Sequence, residues 1–435
     1  MHVVMAIVGG RTEPWVDLIA TLVTRPDIEL TVFASRSSPR ARRDLNLLAR
    51  KHPHLAFHHA PTLLGGAAGD QPGAVVLRPG AGRVLRTLRP DVLHIIGEAG
   101  YPATFQILRM RRRYWPHVPA TLYATQNVPH TLPFPFAQIE RRTYASVHCA
   151  FPITPAAEKV LRTRGYRGES QVVPQGVDTE LFRPYPQARA ARASGHPFTV
   201  GYVGWLERHK GIPALIEAAE KLDCDLVVVG RGSLTPAVEA AAARRPGRVT
   251  FRPRMNRFEL PRLMADMDVL AMPSTETVRR TLVPWTEVPV REPFGRVLVE
   301  AMSCGVPVVG SNLGEIPHVI GPAGLTFRAG DTDALIARLA EIRDDDALAR
   351  RLGAAGQTRS QLFSWSTVSD SMCRTWQALV DTHVVPARTY GVHRSSAPTA
   401  QSPTAQSPTA QSPTAQAPTA QAPAARRTRE KEGQR

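Results

Sequence analysis

The chain has 435 residues, of which 43% are hydrophobic and 21% charged. These are ordinary proportions for a globular protein, and the length exceeds one ordinary domain, so two domains are expected. Cys149, Cys224, Cys304 and Cys373 show no Cys-x-x-Cys spacing, which argues against a zinc site or disulfide framework and fits a reducing cytosol. The formal net charge is +17, but seven basic and two acidic residues lie from Pro386 onward, leaving +12 on the body. There the positive residues are dispersed and nearly all arginine, which reads as compositional bias plus affinity for anionic substrates; no nucleic acid is expected as a partner.

In chain order, residues 2–8 form a continuous apolar run closed by Gly9-Gly10, the pattern of a buried parallel strand and a tight turn. The run is too short for a signal peptide, lacks a basic flank, and no later stretch approaches the ~18 apolar residues of a membrane span. A helix is expected over Trp15–Thr24 and strands over 29–34, 92–96 and 120–124. Alternation of this kind means βαβ units and a parallel sheet. His52, His54, His58 and His59 cluster within this half without acidic or cysteine partners, so they read as solvated loop histidines; no metal site is expected. The run Arg109, Arg111, Arg112, Arg113, Tyr114, Trp115 reads as a charged helix end, with a grip on an acidic acceptor or peripheral contact with an anionic membrane as the alternatives. The expected setting is cytoplasmic, with attachment to the inner face of the membrane left open.

A polar stretch, 183–195, with Pro184 and Pro186 is the linker candidate. The pattern then restarts: strands over 198–203, 225–230, 249–251, 269–272 and 306–309, with a helix over 212–222. The expected fold class is therefore α/β, two doubly wound Rossmann-like domains facing a central cleft. From about Ala397 a five-residue repeat, Gln-Ser/Ala-Pro-Thr-Ala, runs to about Ala425. It has no large apolar residues to offset its ordering entropy, so a disordered tail is expected.

The most informative segment is Glu292-Pro-Phe-Gly-Arg-Val-Leu-Val-Glu300-Ala-Met-Ser-Cys-Gly305. Pro293 disfavours helical geometry at Glu292 and places that carboxylate on a loop. Gly295 allows close backbone approach, and 296–303 reads as a short helix ended by Gly305. Free N–H groups and the dipole at that helix start suit a phosphate. Glu300 inside the helix can accept hydrogen bonds from a diol, and Glu292 can do so from a second hydroxylated ring. The plain alternative is a surface loop and an amphipathic helix with solvated glutamates.

The segment closely resembles the E-x7-E signature of the retaining family-4 glycosyltransferases (glycosyl transferases group 1). Similar too are Asp266-Met-Asp-Val-Leu-Ala-Met-Pro-Ser274, Gly314-Glu-Ile-Pro317, Ala323–Asp331, Pro174-Gln-Gly-Val-Asp178 and Phe363-Ser-Trp365. The resemblance covers roughly residues 1–380 and implies a GT-B fold. It also implies an N-terminal acceptor-binding domain (1–185) and a donor-binding domain (186–365). A C-terminal helix (366–385) would return to the N-terminal domain, and the tail would occupy 386–435. The implied activity is transfer of a hexosyl-type group from a nucleotide-diphosphate sugar to a hydroxyl acceptor (glycan, glycolipid or small natural product), with retention. The nucleotide sugar is a co-substrate, and no tightly bound cofactor or metal is implied.

By the same resemblance, Glu292 contacts the donor sugar, aided by backbone N–H groups near Phe294, Gly295 and Arg296, and Glu300 holds the ribose. The stretch Gly204-Trp-Leu-Glu-Arg208-His-Lys210-Gly resembles the family's diphosphate-binding loop. Lys210 matches the family lysine, whereas Trp205 stands at the usual arginine position, with Arg208 the candidate replacement. Gly9 and Gly10 resemble the glycine-rich loop near diphosphate and acceptor; Asn127, His130 and Glu98 are candidates on the acceptor side. Two rival readings share the architecture: a GT-B-fold sugar-nucleotide epimerase and a noncatalytic nucleotide-sugar-binding protein. A dinucleotide oxidoreductase is disfavoured because neither half opens with Gly-x-Gly-x-x-Gly.

Overall fold

Short apolar runs punctuated by glycine and proline become strands wherever both faces can be covered. In the computed structural model, which describes residues 1–65, 72–185, 196–280 and 287–383, they assemble into two parallel sheets. The first contains β1 (His2–Ile7), β2 (Glu29–Ala34), β3 (Leu55–His59), β6 (Val92–Ile96), β7 (Ala120–Ala124), β8 (Cys149–Pro152) and β9 (Glu169–Ser170). Its order is β3-β2-β1-β6-β7-β8-β9, with an antiparallel pair, β4 (Thr62–Leu64) and β5 (Val76–Leu77), inserted before β6. The second is ordered β12-β11-β10-β13-β16-β17. Its strands are β10 (Thr199–Val203), β11 (Asp225–Val229), β12 (Val249–Arg252), β13 (Val269–Met272), β16 (Val308–Ser311) and β17 (Leu325–Phe327). Between β13 and β16 lies an antiparallel pair, β14 (Thr277–Arg280) and β15 (Glu287–Val290).

Both orders are those of doubly wound sheets, in which ligands sit beyond the carboxyl ends of the strands where the winding reverses. Those points are the ends of β1 and β6 in one sheet and of β10 and β13 in the other. Burial explains the apolar runs: Val3 to Val8 and every residue of β6, β7 and β13 are buried, as parallel strands covered on both faces must be. The strand expected over 306–309 instead spans Val308–Ser311. Pro307 has no N–H to give to the ladder, and its carbonyl accepts from Leu270 N at 2.9 Å as the ladder begins.

Met1–Val385 pack as one unit. The last described helix, Trp365–His383, lies against the helix Val16–Leu22. Trp376 is fully buried and donates Nε1–H to Thr121 Oγ1 at 3.3 Å, while Arg25 pairs with Asp370. The crossing back is pinned by Val177 N–H to Phe363 O at 2.8 Å and Trp365 N–H to Val177 O at 3.1 Å. The basic run 109–113 occupies the last turns of the helix Pro102–Tyr114, and Trp115 is buried with Nε1–H on Leu88 O at 3.0 Å. No described helix is long and apolar enough to cross a membrane. Most of the proposed linker (186–195) and the repeat tail lie outside the described residues.

Close approach at the crossing depends on Gly176, where an added Cβ would stand 2.2 Å from Trp365 Cε3. The indole ring is held among buried neighbours and has little room to give, so the substitution forces backbone movement. Gly176→Ala is expected to lower unfolding free energy by about 1–3 kcal/mol, measured by chemical denaturation; an unchanged midpoint with unchanged slope would contradict this packing.

Candidate active site

The carboxyl ends of the two sheets share a cavity of about 510 Å³, within the usual range for small-molecule sites. From the N-terminal half it is lined by Glu13, Asp17, Arg40 and Asp44; from the C-terminal half by Gly204, Trp205, Lys210, Arg257, Glu292, Gly295, Arg296 and Glu300, among others.

The loop before the helix Arg296–Ser303 places Glu292. Gly295 caps that helix in the left-handed region, with φ of 84°, which a Cβ would strain. The turn lets Phe294 bury its ring against Phe363, with centroids 5.5 Å apart, while the backbone next to it lines the cavity. At such a start the first amides have no intrahelical acceptor, and among the described residues those of Gly295, Arg296 and Val297 find none. They leave a positive helix end facing the cavity, suited to an anion. One turn in, Glu300 is 8% exposed and pairs with Arg296, Nε to Oε1 at 3.1 Å.

Glu292 makes three further attachments. Its Oε2 lies 2.5 Å from Lys210 Nζ, and both side chains are largely buried. Its carbonyl accepts from Asn127 Nδ2 at 2.9 Å and from Glu315 N at 3.2 Å. Asn127 thus spends one amide proton holding the Glu292 loop, a job the sequence does not disclose. Lys210 ends the short 3-10 turn Arg208–Lys210. The neighbouring Tyr202 donates its hydroxyl to Trp205 O at 2.7 Å, and burial, with Glu292 and Glu207 nearby, pushes its ionisation well above the ordinary range.

Arg208, like Arg11 and Arg231, is exposed and is not among the residues lining the cavity. Two other arginines flank Trp205, which is itself 49% exposed. The guanidinium carbon of Arg11 lies 5.8 Å from the ring centroid and that of Arg231 5.9 Å. Arg11 follows Gly9-Gly10 at the end of β1, and Arg231 follows Gly230 at the end of β11. The loops after β10 and β11 are stitched together by Leu206 N–H to Arg231 O at 3.0 Å and by Ser233 Oγ to Glu207 Oε2 at 2.7 Å. Arg257 crosses the cavity, with Nη1 at 2.7 and 2.8 Å from the two Asp17 oxygens. Burial alone would depress its ionisation, but Asp17, then Asp178 and Glu300, raise it overall. Position at a strand end was the one signal that could have singled out Arg11 and Arg231; Arg257 carried none.

The acceptor-side candidates separate. Gly9 donates to Ser35 Oγ at 3.4 Å and its carbonyl takes Arg36 Nη1 at 3.2 Å, while Gly10 has open space where a Cβ would stand. Neither glycine lines the cavity. Glu98, just past β6, accepts from Thr125 N at 2.8 Å and Thr125 Oγ1 at 2.6 Å. Burial raises its pKa and so disfavours the carboxylate, against the pull of Thr125 and Arg164. His130 also lies outside the cavity lining; it bonds to Val128 O at 3.2 Å and contacts Arg164 Nη1 at 3.4 Å. Burial and Arg164 lower its pKa, so near neutral pH it carries no charge.

Residues 186–359 match the model of the family "Glycosyl transferases group 1". Among curated proteins, the chain is 29% identical over 219 residues to the GDP-mannose-dependent monoacylated alpha-(1-6)-phosphatidylinositol monomannoside mannosyltransferase of Corynebacterium glutamicum, covering 47% of this chain and 55% of that protein. It is 31% identical over 226 residues to the alpha-maltose-1-phosphate synthase of Mycobacterium tuberculosis, covering 46% and 54%. The chain spans about half the length of the curated relatives it matches. Among solved structures, sucrose-phosphate synthase from Thermosynechococcus elongatus aligns with TM-score 0.66 at 20% identity, over 88% of this chain and 100% of that one. HepE of Anabaena in complex with UDP aligns with TM-score 0.67 at 18% identity, over 87% and 100%. The architecture is the GT-B fold of two Rossmann-like domains.

The Asp17–Arg257 pair is partly buried and spans the cavity, so it should be coupled more strongly than an exposed ion pair. A double-mutant cycle with Asp17→Asn and Arg257→Gln is expected to give a coupling energy of about 1 kcal/mol. A value indistinguishable from zero would show that the contact does not hold the two sides together.

Proposed function

We propose, from the group 1 glycosyl transferase domain formed within residues 186–359, that the protein transfers a hexosyl group from a nucleotide-diphosphate sugar to a hydroxyl acceptor. The observation that carries this reading is the convergence in one cavity of an unfilled helix start, a lysine and two recessed carboxylates. The donor's diphosphate meets the amides of Gly295, Arg296 and Val297, with Gly204 and Lys210 opposite. Glu300 accepts from the ribose diol. Glu292 accepts from sugar hydroxyls, and Phe294 anchors the turn by burying its ring. Lys210 is neutralised by Glu292 at 2.5 Å; a diphosphate offers it a second anionic partner, freeing carboxylate lone pairs for the sugar.

The chemistry asks for fixed positive charge where the departing diphosphate gains electrons, because preorganised charge lowers the barrier without reorganisation. Lys210 supplies one such charge. We assign the charge absent at Trp205 to Arg11 and Arg231 rather than to Arg208, since they hold their guanidiniums over the indole ring. Cation–π attraction of about 0.5–1 kcal/mol at exposed sites suffices to bias two long side chains toward one place. Arg11 comes from the N-terminal half, so the phosphate site draws on both halves. The acceptor hydroxyl is assigned to the side of Asn127, Glu98 and the Gly9-Gly10 turn, on the resemblance alone, since none of them lines the cavity. Retention of configuration, with family-4 character, rests on the resemblance of the Glu292-x7-Glu300 pattern. Four buried free thiols support a cytoplasmic setting.

Incubation with UDP- and GDP-sugars and a panel of hydroxyl acceptors is expected to yield a glycoside whose anomeric configuration, read by NMR, matches the donor's. An epimerised donor, or binding without product, favours the rival readings. Glu300→Gln is expected to weaken donor use about ten- to hundredfold, the worth of a hydrogen bond to a charged acceptor. Arg11→Gln and Arg231→Gln should each lower kcat roughly tenfold while Arg208→Gln leaves it within twofold; the reverse ranking would return the missing charge to Arg208.

A further inference from the structure

A second cavity, of about 640 Å³, lies away from the cleft and is lined by Arg109, Arg111, Arg112, Arg142 and His148, among others. The helices Pro102–Tyr114 and Phe136–Tyr144 leave the carboxyl ends of β6 and β7 and return toward the starts of β7 and β8. Their last turns, which bear these arginines, therefore sit at the amino edge of the sheet, opposite the edge that faces the cleft.

The cavity gathers four guanidiniums and no carboxylate. Arg111 is only 7% exposed, and its donors go to carbonyl oxygens, Nε to Val118 O at 2.5 Å and Nη2 to Pro116 O at 3.4 Å. Burial and Arg112 depress its ionisation, yet a guanidinium stays charged near neutral pH. Arg109, Arg112 and Arg142 are exposed, and among the described residues none forms an ion pair. Helix C-termini do favour cations, but each carries only about half a negative charge. Two of them offset roughly one of the four positive charges. His148 Nδ1 accepts from Ala120 N at 3.1 Å, and burial, then Arg111 and His383, push its pKa down to about 4. The ring is therefore neutral with its proton on Nε2, a donor beside the guanidiniums.

We propose that this cavity binds a phosphate-bearing anion of at least two negative charges, at a site separate from the cleft. Guanidinium forks suit phosphate oxygens in paired contacts, and a ligand of that charge supplies the compensation that the protein's own residues withhold.

Calorimetric titration of the full chain with inorganic pyrophosphate at low ionic strength tests this. Arg112→Gln/Arg142→Gln is expected to weaken one binding event at least tenfold. The control Arg113→Gln/Arg141→Gln removes the same charge from neighbouring positions outside the cavity lining and should leave that event within twofold. All four positions are exposed, and unchanged melting midpoints will show that the variants fold. Equal losses in the two double variants, or no loss in either, would overturn the site. Sedimentation with phosphatidylcholine vesicles that contain phosphatidic acid, whose phosphomonoester ionises twice, and with pure phosphatidylcholine vesicles as control, separates the sources. Vesicle binding that pyrophosphate displaces and the cavity variant loses assigns a lipid headgroup; pyrophosphate binding without vesicle binding assigns a soluble phosphate.

Discussion

Glu292 is the point on which the arrangement turns. Its side chain is held by Lys210 at 2.5 Å, and its carbonyl is shared between Asn127 of the N-terminal half and the amide of Glu315. One residue thus ties the loop after β10, the start of the helix Arg296–Ser303 and the loop after β7. Fixing that loop fixes where the helix start points, and with it the direction of the free amides. A charged pair this recessed is weak evidence of stability, because desolvation offsets most of its Coulomb energy. Its value lies in placement.

The second constraint is charge. The cleft mixes acids and bases drawn from both halves: Asp17 against Arg257, Glu292 against Lys210, Glu300 against Arg296. Around Trp205, Arg11 and Arg231 form no ion pair among the described residues, and the carboxylate in electrostatic reach of Arg11 is that of Glu13. An aromatic ring there offers a face on which guanidiniums rest without being neutralised.

Much of this was legible from sequence, for physical reasons that can be named. Pro293 and Gly295 disclose a loop turning into a helix because each restricts or frees the backbone in a known way, and the helix spans Arg296–Ser303, closed ahead of Gly305. Strands buried on both faces announce themselves as unbroken apolar runs, as at Val92–Ile96. The strand after Pro307 began late because apolar character does not report a missing N–H. What stayed hidden depends on loops meeting in space. Nothing local marks Asn127 as a donor to Glu292 O, 165 positions away, or Arg257 as the partner of Asp17. Arg208 drew notice through nearness in sequence to Trp205, whereas Arg11 and Arg231 reach Trp205 from other strands.

On the proposed function, the helix start after Glu292 and the loop ending at Lys210 receive a nucleotide diphosphate. Hydrogen exchange of the full chain, with and without UDP or GDP, reads those amides directly. Slowed exchange is expected in peptides covering 203–211 and 294–300, reduced by Lys210→Gln. Protection confined to other regions, or none at saturating concentrations of either nucleotide, would contradict it.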